Sequence, residues 1–373
     1  MTAAVDPGFV LDRDWLGQLE KSAPAFLARL RVGDSIGRYL PCLRGATPVG
    51  RDMALGWSCF ALKIHFMMGT WETMPEGDRA AWIRFLQSYQ KSDGENAFVD
   101  PPETAFLETY VPWHERIRRL VKRSQTTKSA RAIMLAETKQ AIATFAEVGA
   151  EPLRTFSGFP QTAADVSQWL NNQDWSRPWG AGGQSAGLVV FIKTQAPKIL
   201  PETQVAELLQ VCRNFYASLA DPETGAYFRG KRPAHGELIN GAMKVLMALD
   251  WLDVPPHHPD QLIATTLLQP PSPRGCHLVD AAYVLHQCLA GRPPEAQARE
   301  FCGKIFEEIR LHAHDDGGFS FHRGQAQKDY YGVPVSKGLA ESDIQGTCLL
   351  VWALALIWRM LEPETAHWKP MKP

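Results

Sequence analysis

The sequence predicts an all-α chain: a closed (α/α)6 toroid, with an inner circle of six helices wrapped by an outer circle. Three observations point to it. Apolar residues recur at helical spacing along most of the 373 residues, and period-two β-branched runs extend over only a few positions. Gly/Asp turns, often followed by an aromatic residue, cut the helical segments into pairs. Within each pair the first helix has a polar face and the second is apolar nearly all round, as expected when one set lies between the other and a shared centre.

Taken in order, residues 14–31 suit a first outer helix, so residues 1–50 either supply it or cap the ring. An apolar inner helix starts near Ala54. The next unit has an outer helix at 80–90, a Ser92-Asp93-Gly94 turn with Phe98, and an inner helix at 130–148. Residues 164–171 pair with 184–193, and 205–219 pair through Asp221-Pro222-Glu223-Thr224-Gly225 with 237–252. Residues 260–268 pair with 278–289, and 298–312 pair through Asp315-Asp316-Gly317-Gly318-Phe319 with 343–360. The inner helices then start near Ala54, Ala130, Gln184, Leu238, Leu278 and Asp343. Their spacing of roughly 40 to 75 residues fits a ring with variable loops better than a consensus solenoid. Pro-rich stretches are short enough to be inter-helix turns, so 1–373 reads as a single toroid domain.

Bulk composition narrows the partners. The chain is 45% apolar and 21% charged with a net charge of −1, which gives no electrostatic reason to bind nucleic acid or an anionic membrane. The N-terminus lacks a basic segment followed by an apolar one, and the longest apolar run, 347–358, is short for a bilayer span and reads as a core helix. Seven scattered cysteines without a CxxC are expected to be buried free thiols in a cytoplasmic protein. A small-molecule substrate bound in the ring is the expected partner.

Two stretches carry a family resemblance. Arg274-Gly275-Cys276-His277-Leu278-Val279-Asp280-Ala281-Ala282-Tyr283 resembles the zinc-bearing inner helix of protein prenyltransferase β subunits. Asp316-Gly317-Gly318-Phe319 and Asp343-Ile344-Gln345-Gly346-Thr347-Cys348 resemble the Gly-Gly-Phe turn and second zinc helix of that family. The 87–98 stretch is similar to the prenyltransferase and squalene-cyclase repeat. The resemblance implies a terpenoid-cyclase/prenyltransferase-like α/α toroid acting on an isoprenoid or lipid-like substrate. It also implies a divergent member. Asp280 matches one zinc ligand, but Ala282 stands where the family has Cys and Gly346 where it has His, and the acidic D-x-D-D motif of the cyclases is missing. No metal and no cofactor is therefore expected.

In a toroid the first turns of the inner helices meet at one mouth. Candidate catalytic residues there are Asp280, Asp343, Glu341, His235 and Glu237. Asp280 leads because a carboxylate inside an apolar helix needs a partner or a wet cavity. Glu341 and Asp343 also suit helix capping, as does His235-Gly236-Glu237. Candidate substrate-binding residues are Trp179, Gln184, Tyr227, Arg229, Asn240, His277, Tyr330, Tyr331 and Gln345. The Gly-rich stretch 179–185 suits either an anion cradle or close helix approach. Three functions stay open: the isoprenoid enzyme, a carbohydrate-active α/α-barrel enzyme (hydrolase, lyase or epimerase) and a non-catalytic scaffold. The first requires a deep aromatic cavity. The second requires paired carboxylates, and the third a centre without strongly perturbed carboxylates.

Overall fold

A computed structural model describes residues 9–109 and 130–373. Its main helices alternate between an outer circle (odd numbers) and an inner circle (even numbers). They are α1 (Arg13–Leu30), α2 (Leu55–Met67), α3 (Glu76–Gln87), α4 (Ala130–Glu147), α5 (Ala163–Asn171), α6 (Pro178–Thr194), α7 (Glu202–Leu219), α8 (His235–Trp251), α9 (Pro259–Leu267), α10 (Gly275–Leu289), α11 (Ala296–Arg310) and α12 (Ile344–Leu361). Each even helix packs on the next even helix, and α12 packs back on α2, so the inner circle closes. The chain is an all-α toroid.

The split between circles follows from composition. In α2 the residues from Leu55 to Ile64 are all buried, and α12 buries nearly every position. Outer α11 alternates Phe301, Ile305, Phe306 and Ile309 inward with Glu300, Lys304 and Glu307 outward. Helix α12 is long and apolar enough to cross a membrane, yet 83% of it is buried inside the ring. All seven cysteines are free thiols, and Cys276 alone is half-buried.

The aromatic in the turn after several outer helices has a structural task. Tyr39, Phe98, Tyr227 and Phe319 pair by isolated β-bridges with Arg31, Gln90, Ala220 and Ala313, at the ends of α1, α3, α7 and α11. Each ring is buried and plugs the end of its helix.

Helix α6 starts at Pro178, six residues before the expected Gln184, so the Gly-rich stretch is helix and not loop. Pro178 suits the first helical position. Tertiary packing overrides the poor helix propensity of the glycines. A Cβ on Gly182 would lie 2.8 Å from Lys244 Cβ, and one on Gly241 2.6 Å from Pro178. These glycines let α6 and α8 approach closely.

One rim gathers the N-termini of the inner helices; the other is crossed by residues 362–373. There the Lys369 backbone N–H donates to Met67 O at the end of α2 (2.8 Å), the Lys372 N–H donates to Glu147 at the end of α4, and Trp251 Nε1 at the end of α8 donates to Pro373 O (2.7 Å). The tail buries Trp368 and Met371. The tail thus straps the C-terminal rim of the inner circle.

Candidate functional site

The mouth has two walls. The first is built from carboxyl groups. Asp100 Oδ2 accepts the N–H groups of Ala54 (2.7 Å) and Leu55 (2.8 Å) and so caps α2. The short helix that follows, Pro101–Thr109, packs on α4 and on strand Val333–Pro334, and it carries Glu103 inward. Glu137 arrives from the second turn of α4. Both are buried. The Tyr330 hydroxyl donates to Glu137 Oε1, whereas Glu137 Oε2 and Glu103 Oε1 are buried without a hydrogen-bond partner among the described residues. Burial, then the charges of Glu137 and Asp100, raises the pKa of Glu103. Burial also raises Glu137, against the Tyr330 hydrogen bond that favours its charged form.

Tyr330 comes from an antiparallel pair, Asp329–Tyr330 with Val333–Pro334, joined by Tyr331-Gly332. Both joining residues have positive φ, 49° and 91°, as a two-residue type I′ turn requires. For a tyrosine this is strained backbone. Tyr331 is held there with its ring centroid 4.5 Å from that of Tyr330.

The second wall is made by α6, α8 and α10. Asp280 lies one turn into α10 and is buried; its Oδ1 is 3.9 Å from Lys244 Nζ and its Oδ2 has no hydrogen-bond partner among the described residues. Burial pushes its pKa up to about 6, with Lys244 opposing. Asn240 Nδ2 lies 3.3 Å from His277 Nδ1, and Trp179 meets His277 edge to face at 5.5 Å. His277 Nε2 is buried without a partner among the described residues, and burial lowers its pKa. Gln184 and Gln345 are half-buried on the inner helices, and Gln345 Oε1 is likewise unpaired among the described residues.

The remaining candidates stand elsewhere or are fully engaged. Asp343 Oδ1 accepts from Gly346 N–H (2.7 Å), and Oδ2 accepts from Phe321 (2.7 Å) and Gln327 (3.0 Å). Glu341 accepts the N–H groups of Gly45 (2.6 Å) and Arg44 (2.8 Å). Glu237 accepts Trp179 N–H (2.9 Å), joining the starts of α8 and α6. These carboxylates act as caps and staples. His235 is half-buried at the start of α8 and does not bond Glu237. Tyr227 is buried beside His257 in the outer layer (3.2 Å). Arg229 bonds Asn171 (2.8 Å) and lies over Phe215, also away from the mouth.

Glu103, Glu137, Lys63, Lys139 and Lys244 were not anticipated. Lys63 is the one Lys, Arg, Asp or Glu of the apolar helix α2, the same signal that singles out Asp280.

Comparison with known proteins gives fold-level likeness only. No family model and no curated protein matches the chain. Solved structures that overlay on it include a wild-type glycosidase (12% identity, TM-score 0.47, covering 94% of this chain and 100% of that one). A glycosidase variant in complex with glucose overlays at 12% identity and TM-score 0.46, with the same coverage. A possible member of the GH105 family from Salmonella enterica subsp. enterica serovar Paratyphi A overlays at 14% identity and TM-score 0.44, covering 95% and 97%.

The terpenoid-cyclase/prenyltransferase resemblance is corrected as to family and function, while the toroid it implies stands. The overlaid structures named here are glycosidases. Nor do the residues fit the zinc of that family. A Cβ at Gly346 would lie 2.4 Å from Phe321 N, so no histidine fits there, and Ala282 is fully buried. Among the described residues no cluster of three or more His, Cys, Asp or Glu is placed to hold a metal.

Proposed function

We propose that the chain is a carbohydrate-active enzyme that uses general acid–base catalysis at the mouth of the toroid. The observation that carries this reading is the Glu103–Glu137 pair: two buried carboxyls, Glu103 raised by the charge of Glu137, each with an oxygen that has no hydrogen-bond partner among the described residues. Such a pair holds one proton between its members near neutral pH, which provides an acid and a base in one place. Glu103, raised by burial and by two carboxylate neighbours, holds the proton. Glu137, oriented by Tyr330, accepts one.

Two further features support the reading. Tyr331, held in strained backbone beside the pair, gives a sugar ring an aromatic face, and Trp179 stands on the opposite wall. Asn240, His277 and Gln345 offer hydrogen-bonding groups suited to hydroxyls. Perturbed carboxyls also weigh against a scaffold without chemistry, whose centre has no reason to hold unpaired acids.

The test is turnover of a panel of aryl and unsaturated glycosides by the native chain and by Glu137→Gln. The expected loss is about 10^2- to 10^4-fold in kcat with an unchanged thermal midpoint. Equal turnover by the variant, or no sugar turned over or bound by the native chain, overturns the proposal.

A further inference from the structure

Asn240 is the one polar side chain in the buried run Leu238-Ile239-Asn240-Gly241-Ala242-Met243 of α8. A buried amide needs a partner. Asn240 finds it on the next inner helix, where its Nδ2 lies 3.3 Å from His277 Nδ1. An amide nitrogen only donates, so Nδ1 is the acceptor, and a neutral imidazole that accepts at Nδ1 carries its proton on Nε2. Burial, then the charge of Arg274, lowers the His277 pKa, which keeps the ring neutral near pH 7.

A third helix fixes the plane of the ring. Glu237 accepts the Trp179 N–H (2.9 Å). A Cβ on Gly241 would lie 2.6 Å from Pro178 Cβ, so the glycine lets the start of α6 sit tight on α8. Trp179, placed by these two contacts, meets His277 at 5.5 Å with the ring planes 70° apart. Neither neighbour uses Nε2, which is buried without a hydrogen-bond partner among the described residues. Three residues further along α10, Asp280 Oδ2 is unpaired in the same sense. Residues three apart share a helix face. Helix α10 therefore presents an unmet donor and an unmet acceptor together, which is what hydroxyl groups, donors and acceptors at once, complement.

We propose that Asn240 is a positioning residue that locks His277 into the Nε2–H tautomer, and that this N–H donates to a hydroxyl of the bound sugar. The lock stands on the contacts of α6, α8 and α10; the identity of the acceptor rests on the carbohydrate reading above.

The test is nitrogen-15 NMR of the whole chain labelled at histidine, with the His277 signals assigned by their loss in His277→Phe. The native ring is expected to be neutral near pH 7 with its proton on Nε2. Asn240→Asp, checked for fold by circular dichroism, is expected to move the proton to Nδ1, where the carboxylate accepts it, and to make the ring easier to charge. Asn240→Ala is expected to give a mixture of the two tautomers, which keeps the lock testable if the buried Asp prevents folding. A native ring with its proton on Nδ1, or a tautomer unchanged in the folded variants, overturns the lock. The methyl glycosides of glucose, galactose, mannose and glucuronic acid are then titrated in. At least one is expected to shift the His277 Nε2 resonance and to bind about 10-fold more weakly to His277→Phe, the worth of one hydrogen bond. If a sugar is bound or turned over while the Nε2 resonance stays in place, the donor role fails and the carbohydrate reading survives. If the tautomer is locked and no sugar is bound or turned over, the carbohydrate reading fails and the lock survives.

Discussion

Two pairs of buried carboxyl groups lie at the same rim of the toroid and are built in opposite ways. Asp343 and Glu341, at the start of α12, accept five backbone N–H groups between them. Glu103, in the short helix Pro101–Thr109, and Glu137, two turns along α4, accept one side-chain hydroxyl among the described residues and leave two buried oxygens unpaired. Burial raises the pKa of both Asp343 and Glu137. A shifted pKa therefore does not separate structural acids from chemical ones; the state of the oxygens does. A carboxylate with both oxygens held by fixed N–H groups is stabilised where it stands, whereas one with a buried oxygen unpaired is strongly destabilised until something arrives to meet it.

The contrast is most exposed to failure at Asp343. Removing its side chain in Asp343→Ala strands the N–H groups of Gly346, Phe321 and Gln327 and detaches the 319–327 turn from α12. The expected loss is about 5 kcal/mol of stability in a urea melt, at roughly 1.5–3 kcal/mol per hydrogen bond to a charged group. Native-like stability in this variant would falsify the structural role. The next largest effect is at Glu341→Ala, which strands Gly45 and Arg44 N–H and is expected to destabilise by about 3 kcal/mol on the same scale, with the segment before α2 loosening first in hydrogen exchange. Glu103→Gln sharpens the contrast from the other side. It removes one of two repelling acids, so the melt should shift upward or stay level while glycoside turnover falls. A melting temperature lowered as far as in Glu341→Ala would place Glu103 with the structural acids instead.

The same contrast explains what was legible in the sequence. Helix count and the identity of the inner circle were readable because six segments are apolar on all sides, a pattern a surface helix cannot sustain in water. The start of α6 was not, because its glycines are chosen for contact with Lys244 and Pro178, and such contacts leave no local mark. At the site, Asp280 stood out as a charge in an apolar helix, and Lys63 carries that same mark. Glu103 and Glu137 lie in helices with several charged or polar residues and carry a weaker one. Glutamate is an ordinary exposed residue in helices, and only the closing of Pro101–Thr109 over α4 turns it into a buried acid. Spacing along the chain does not encode where Tyr227 and Arg229 point: Tyr227 is buried beside His257, and Arg229 bonds Asn171 and lies over Phe215.

The smallest of the expected effects concerns Asp280, which belongs to neither pair: one oxygen is near Lys244 and the other is free. Its pKa of about 6 when folded lies above the ordinary 3.8. The native state therefore holds this proton more tightly than the unfolded chain does. From pH 3.8 to about 6 the unfolded chain ionises first, so the Asp280 contribution to stability falls through that window and stays at its least favourable above it. Asp280→Asn abolishes the charge that burial opposes. It is expected to be more stable than the native chain by on the order of 2 kcal/mol at pH 8, with the advantage gone by pH 3.5. A difference between the two melts that is flat from pH 3.5 to pH 8 would mean that Lys244 fully compensates the charge, and Asp280 would then join Asp343 as a satisfied structural acid. A difference that narrows toward low pH places it with Glu137, as a carboxyl whose unfavourable burial the fold retains for the sake of the hollow.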